Sequence, residues 1–328
     1  MKILGHRAWL VIFMAWTLFG ILFGFWYFGI RSNVKQDAAF TVGAGATISS
    51  VAGQLKERGF IDSEDGFKMT VRLISGNVKR GLYDIPAGSS AFHVARMMAH
   101  GDIATTTVLI PEGLTVKQIV ELLDQNKFLT GRACVGINDS CPRDGELFPD
   151  TYRVAKGASR ASVVELMRLR MSDVRDRFES GRGALPAPLE NWDEVMTLAS
   201  IVQKETPKAR EMPIVAGVYI NRLNQNMRLQ ADPTVVYAVT DGLGDMRGKP
   251  LLTGHLKRAH PYNTYMNHGL PPHPIANVGR AAIAAVLNPV ETKYLFFVAD
   301  GTGGHLFSET YEEHKVNHEN WREIKNNR

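Results

Sequence analysis

The residue best placed to do chemistry is Glu205, in the segment WDEVMTLASIVQKETPKAR that begins at Trp192. Leu198, Ile201, Val202 and Glu205 recur at i, i+3, i+4 and i+7, so the carboxyl continues an apolar helical stripe, while Gln203 and Lys204 turn away from it. Pro207 predicts that the helix ends or kinks beside Glu205. A semi-buried carboxyl at a helix C-terminus meets desolvation and negative potential together. Both favour its protonated form, as a general acid near neutral pH requires. The same pattern also fits a frayed helix end with a solvated carboxylate. Two further stretches mix polar side chains with aromatics: QADPTVVY from Gln230 and PYNTYMNHGLPPHP from Pro261. Asn, Thr and Tyr suit hydroxyl and acetamido groups, and aromatic faces suit the C–H faces of sugar rings. Asp232-Pro233 and the prolines at 271, 272 and 274 equally well punctuate loops.

Several other chemistries leave no signature. The sequence contains no G-x-S-x-G elbow, no phosphate-binding G-x-x-x-x-G-K-[ST] loop and no H-E-x-x-H pair. His255, His260, His268 and His273 are neighbours in sequence but have no recognised metal-ligand spacing. The net charge of +5 is concentrated at the start of the chain. With Lys2, Arg7, Arg31 and Lys35 set aside, 34 basic residues face 33 acidic ones, so no clustered basic excess points to nucleic acid.

The elements that must position these residues begin with an uncharged stretch, Ala8–Ile30, of 23 residues. Its length and the aromatics Trp9, Trp26 and Tyr27 near its ends predict a transmembrane helix, with a cleaved signal peptide as the alternative. Lys2 and Arg7 at one end and Arg31 and Lys35 at the other barely orient it, and the cysteine pair favours residues 1–7 in the cytoplasm and the body outside. Cys134 and Cys141 lie in a loop with Gly136, Asn138, Asp139 and Pro142 and are too few for a four-ligand zinc site. A disulfide closing this eight-residue loop would contribute about 2.5 kcal/mol and persist only in an oxidising compartment. Two free thiols are the alternative.

A strand–turn–helix unit then recurs. Its copies read TVGAGATISSVAGQLKERGFI from Thr41, DIPAGSSAFHVARMMAHGDI from Asp84, LIPEGLTVKQIVELLDQNKFL from Leu109 and, more faintly, RVAKGASRASVVELM from Arg153. In each, a glycine is followed two residues later by Thr47, Ser90, Thr115 or Ser159, residue types that cap helix N-termini. Uneven glycine spacings of 43, 25 and 44 exclude a solenoid period. Regular structure should break at SGRGALPAP, residues 180–188, and a long helix should start near Asn191 or Asp193. Tyr294–Val298 reads as a buried strand, followed by the turn Asp300–Gly304 and a helical tail beyond Tyr311. The fold class expected is α+β: an N-terminal transmembrane helix, small LysM-like βα units at 36–130, and a larger, mainly helical catalytic domain with some strands at 131–328.

The ordered motifs ELFPDTY (146–152), LASIVQKET, VYINRLNQNMRLQADPTVVYA, PYNTYMNHGLPPHPIANVGRAAI and YLFFVADGTGGHLFSETYEEH resemble the YceG-like family of bacterial endolytic murein transglycosylases. The resemblance covers nearly the whole chain. It implies a single-pass protein of the inner membrane whose body acts on peptidoglycan glycan strands outside the cytoplasm, with glycan-synthesising enzymes as partners. It places the catalytic glutamate at Glu205. The first acidic position of the family motif is Gln203 here, which weakens any two-carboxylate mechanism. Arg222, Gln230, Asp232, Asn263 and Tyr265 match family motifs and take substrate-contact roles by inference. The implied reaction is non-hydrolytic cleavage of the β-1,4 bond from N-acetylmuramic acid to N-acetylglucosamine, forming a 1,6-anhydro end that terminates a strand. It needs no metal or organic cofactor. Two rival expectations are a hydrolase pairing Glu205 with Asp232 or Glu146, and a non-catalytic wall-binding scaffold built on the repeated units.

Overall fold

The computed structural model describes residues 3–25, 33–134, 141–180 and 183–326. Trp26, Tyr27, Gly136, Asn138 and Asp139, each singled out in the sequence, lie outside the described residues.

The first helix, α1 (Ile3–Phe25), corrects the expected membrane anchor: among the described residues no helix is long and apolar enough to cross a membrane. Within the described residues the uncharged stretch supplies positions 8–25, and the rest of the helix, positions 3–7, takes in His6 and Arg7.

The chain divides into two compact units, Met1–Thr106 with Arg153–Ala158, and Thr107–Tyr152 with Ser159–Arg328. In the first, β1 (Ala38–Val42) pairs antiparallel with β2 (Gly81–Ile85), setting Phe40 opposite Tyr83. Helices α2 (Ile48–Glu57), α3 (Glu64–Ile74) and α4 (Ala91–His100) pack together beside this ribbon. Their apolar faces close a core around Phe40, Leu55, Phe67, Val71, Tyr83 and Met98. The buried Tyr83 hydroxyl finds its partner in the Lys79 carbonyl at 2.7 Å, so burial leaves no orphaned donor.

Two further strands, β3 (Thr105–Leu109) and β4 (Thr151–Ala155), pair with each other and lead into α5 (Val116–Gln125) and α6 (Arg160–Glu179). All four recurring units therefore take the expected strand–turn–helix form. The turn glycines Gly45, Gly88, Gly113 and Gly157 have φ of +74° to +87°, which a side chain would strain. Thr47, Ser90, Thr115 and Ser159 each accept a hydrogen bond from the backbone N–H three residues on, and Gln118 completes a capping box with Thr115.

The second unit is centred on α7 (Trp192–Glu205), capped by Asn191 through the Glu194 N–H. It packs against α8 (Met212–Asn224) and α11 (Arg280–Leu287). Leu198, Ala199, Ile201 and Val202 meet Val215, Ala216, Tyr219, Ile283 and Val286 in one core. Shorter helices α9 (Asp232–Val239) and α10 (Thr253–Leu256) lie in the intervening chain. The expected strand near 294–298 becomes β5 (Phe296–Ala299), paired antiparallel with β6 (His305–Ser308) across the Asp300–Gly304 turn; the tail forms α12 (Tyr311–Asn326). Cys134 and Cys141 form a disulfide with Cα atoms 5.1 Å apart.

Candidate functional site

Glu205 is the last residue of α7, and the helix stops there because Thr206 turns extended before Pro207. Its carboxylate does not fray into solvent. The Tyr219 hydroxyl, projecting from α8, donates to Oε1 at 2.6 Å. Burial pushes the Glu205 pKa up to about 7; the Tyr219 hydrogen bond pulls it down, the nearby Asp232 charge pushes it up again, and Arg222 opposes. At neutral pH the carboxyl is thus poised between its acid and base forms, the condition for one group to give and then recover a proton.

Tyr219 and Arg222 are i, i+3 on α8 and share a face. The Arg222 guanidinium is buried, where desolvation lowers its pKa. Nε donates to the Leu295 carbonyl and Nη1 to the Leu229 carbonyl, both at 2.6 Å, and the head lies 5.4 Å from the centroid of Phe296. Its hydrogen bonds thus tie the chain before α9 and the chain before β5 to the helix that carries Tyr219. The Tyr219 ring meets Phe297 edge-on at 5.8 Å.

The other motif residues gather in two layers. Tyr265 is partly buried, and its hydroxyl donates to Oδ1 of the exposed Asp232 at 2.7 Å. Burial first, and then Asp232, raises the pKa of Tyr265, so it acts as a donor. Gln230 is exposed with φ of +49°, and its N–H bonds the Thr264 carbonyl. Asn263 lies deeper, with no exposed surface. Its amide donates to the carbonyls of Leu256 and Arg258 and its oxygen accepts the Tyr265 N–H, so the side chain holds the loop that presents Tyr265. Glu146 is elsewhere occupied: it takes the Arg143 N–H and an Arg143 ion pair at 3.3 Å.

Gln203 and Lys204, expected to face away, are partly buried and bonded. Gln203 accepts the Gly279 N–H at 3.1 Å, and Lys204 donates to the Gly113 carbonyl at 3.2 Å. Helical periodicity places them off the α7 stripe correctly, but the 113 turn and the 279 segment cover that side. A Cβ at Gly279 would fall 1.8 Å from a Glu112 carboxylate oxygen, so a side chain there would require the Glu112 carboxylate to move aside.

Three further residues lie inside the quoted motifs but have no role assigned there. Tyr219 is signalled by its i−3 relation to Arg222. Thr264, fully enclosed, binds the Ala231 N–H and the Thr234 hydroxyl and so locks the PYNTY loop onto the start of α9. Asn277 has no exposed surface. It accepts from the N–H groups of Gly145 and Leu147 and donates to the Leu114 carbonyl, all at 3.0 Å. Beyond these, the turn after Glu205 is pinned by a buried Glu211, which His305 reaches at 2.9 Å and the Thr206 hydroxyl at 3.4 Å.

The profile of the YceG-like family matches residues 40–320. A Bacillus subtilis (strain 168) protein named endolytic murein transglycosylase is 26% identical over 324 residues, covering 90% of this chain and 88% of that protein. A protein of the same name from Streptococcus pneumoniae serotype 2 (strain D39 / NCTC 7466) is 24% identical, covering 94% of this chain, which spans 63% of that protein's length. A crystal structure of a yceG-like protein from Listeria monocytogenes, 27% identical, covers 86% of this chain and 99% of its own with a TM-score of 0.51.

Proposed function

We propose that this chain, which belongs to the YceG-like family, is an endolytic murein transglycosylase that cuts peptidoglycan glycan strands outside the cytoplasm with Glu205 as its acid/base. The relatives' names supply the reaction class. The observation that carries the assignment of Glu205 is its position: a carboxyl at a helix end, bonded by Tyr219 and raised by burial to a pKa of about 7.

In this reading the protonated Glu205 gives its proton to the glycosidic oxygen leaving C1 of N-acetylmuramic acid, and the C1–O bond breaks. The acetamido oxygen of the same sugar supports the positive charge at C1. Glu205, now a carboxylate, takes the proton of the C6 hydroxyl while O6 bonds to C1, closing the 1,6-anhydro ring and restoring the acid. One carboxyl serves both steps. Tyr219 steadies the carboxylate between them. Asp232, Tyr265 and Gln230 are the substrate-facing residues, and Arg222 and Asn263 hold the segments that present them. The first unit's strand–turn–helix elements act as a LysM-like holder of the glycan.

A paired-carboxylate hydrolase is the second reading, favoured by the Asp232 charge that reaches Glu205. Mass analysis of products from purified glycan strands separates the two, because an anhydro end is lighter than a hydrolysed reducing end by one water. Anhydro products support the transglycosylase; ends retaining the water support the hydrolase.

A further inference from the structure

Within the second unit, a cavity of about 450 Å³ is lined by none of the residues given roles in the reaction described above. Its volume falls in the range of about 300–1,000 Å³ of small-molecule sites. Tyr237 and Tyr262 form its aromatic wall, with ring centroids 4.8 Å apart and tilted by 40°, and His260 continues it 5.8 Å from Tyr262. Both tyrosines rest against the core while lining the cavity, so their rings are backed by packing.

The polar lining is equally fixed. Asp144 accepts from the Tyr237 hydroxyl at 2.7 Å and from the Val116 N–H at 2.6 Å. Burial raises its pKa against those two bonds. Lys117, held by Asp241, and Arg143, held by Glu146, supply cationic heads at the exposed rim.

Two elements link this cavity to the catalytic carboxyl. Helix α9 carries Asp232 at its start and Tyr237 five residues later, about 7.5 Å along the axis. The PYNTY loop carries Tyr262 into the cavity wall and Tyr265 onto Asp232. Residues 232 and 237 are about 140° apart around α9, so a strand that meets both crosses the helix by way of the PYNTY loop.

We propose that this cavity is a saccharide subsite for a sugar of the same glycan strand, whose C–H face lies on Tyr262 and Tyr237 while its polar edge meets Asp144 and the Lys117–Arg143 rim. Fixed aromatic faces beside a carboxyl and ion-paired groups match the C–H face and the hydroxyl and amide edge of an N-acetylated sugar. The assignment rests on the glycan-cutting reading of Glu205 but is tested apart from it.

The test uses the full chain and peptide-free glycan oligosaccharides graded by length. Tyr262→Ala should raise KM for long strands about tenfold, the scale of losing one aromatic anchor, with kcat held. Tyr262→Phe, which keeps the ring, should restore it, and strands too short to span α9 should be cleaved alike by all three proteins. Unchanged KM in a folded Tyr262→Ala protein overturns the subsite. Binding is read separately by tyrosine-ring NMR of Glu205→Gln titrated with the same oligosaccharides. Shifts at Tyr237 and Tyr262 support the subsite; no binding, or binding that leaves both rings unmoved, overturns it. A wild-type chain that binds through these rings yet never cleaves would instead sink the reading of Glu205.

Discussion

The strand–turn–helix units and the Glu205 site are built by opposite means. Each unit is written within about ten residues: an apolar strand, a glycine at positive φ, and a Thr or Ser that caps the helix it precedes. The site draws on α7, α8, the 230–232 segment and the 261–265 loop, brought together by side-chain bonds over long sequence separations. A local device should fail locally and cheaply. A device assembled from distant segments should fail as a whole.

Asn277→Ala tests the second half of that contrast and should have the largest effect on stability. It strips partners from two buried N–H groups, at about 1–3 kcal/mol each, so a loss of about 3 kcal/mol is expected in denaturant unfolding. A loss no greater than that of a cap would erase the distinction. Ser90→Ala tests the first half. It removes one cap bond, to the His93 N–H, and should cost about 1 kcal/mol while leaving kcat unchanged.

The legibility of the chain follows the same division. Caps and turn glycines announce themselves because their partners lie three residues away, so all four units and the Asn191 start of α7 were readable. Glu205 was readable as a carboxyl on an apolar stripe. Tyr219 was not, because nothing in the sequence says that α8 aims it at residue 205, fourteen residues earlier. Asn277 looks like loop polarity until its partners more than 100 residues away are seen. The anchor misled because an uncharged run was read as a span, whereas among the described residues no helix is long and apolar enough to cross a membrane.

The smallest expected changes are shifts of a pH limb. Because the reaction begins with a protonated Glu205, the rate should fall as pH rises through about 7. Tyr219→Phe removes a bond that favours the carboxylate, so the limb should move to higher pH. Asp232→Asn removes a charge that disfavours it, so the limb should move lower. Shifts of one sign in both variants would break the electrostatic account. Stability obeys the same sign. A carboxyl raised above its ordinary 4.5 contributes stability that is present below that value and lost as pH rises through about 7, a loss that Glu205→Gln should not show.

The most direct test of the central claim is the cleavage rate of Glu205→Gln on purified glycan strands, measured beside Asp232→Asn. The amide is nearly isosteric and can still accept the Tyr219 hydrogen bond, so the fold should persist. It can neither give nor recover a proton, and a loss of at least about 10²–10⁴-fold is expected, with a milder loss for Asp232→Asn. A folded Glu205→Gln protein that still cleaves at the wild-type rate would contradict the account.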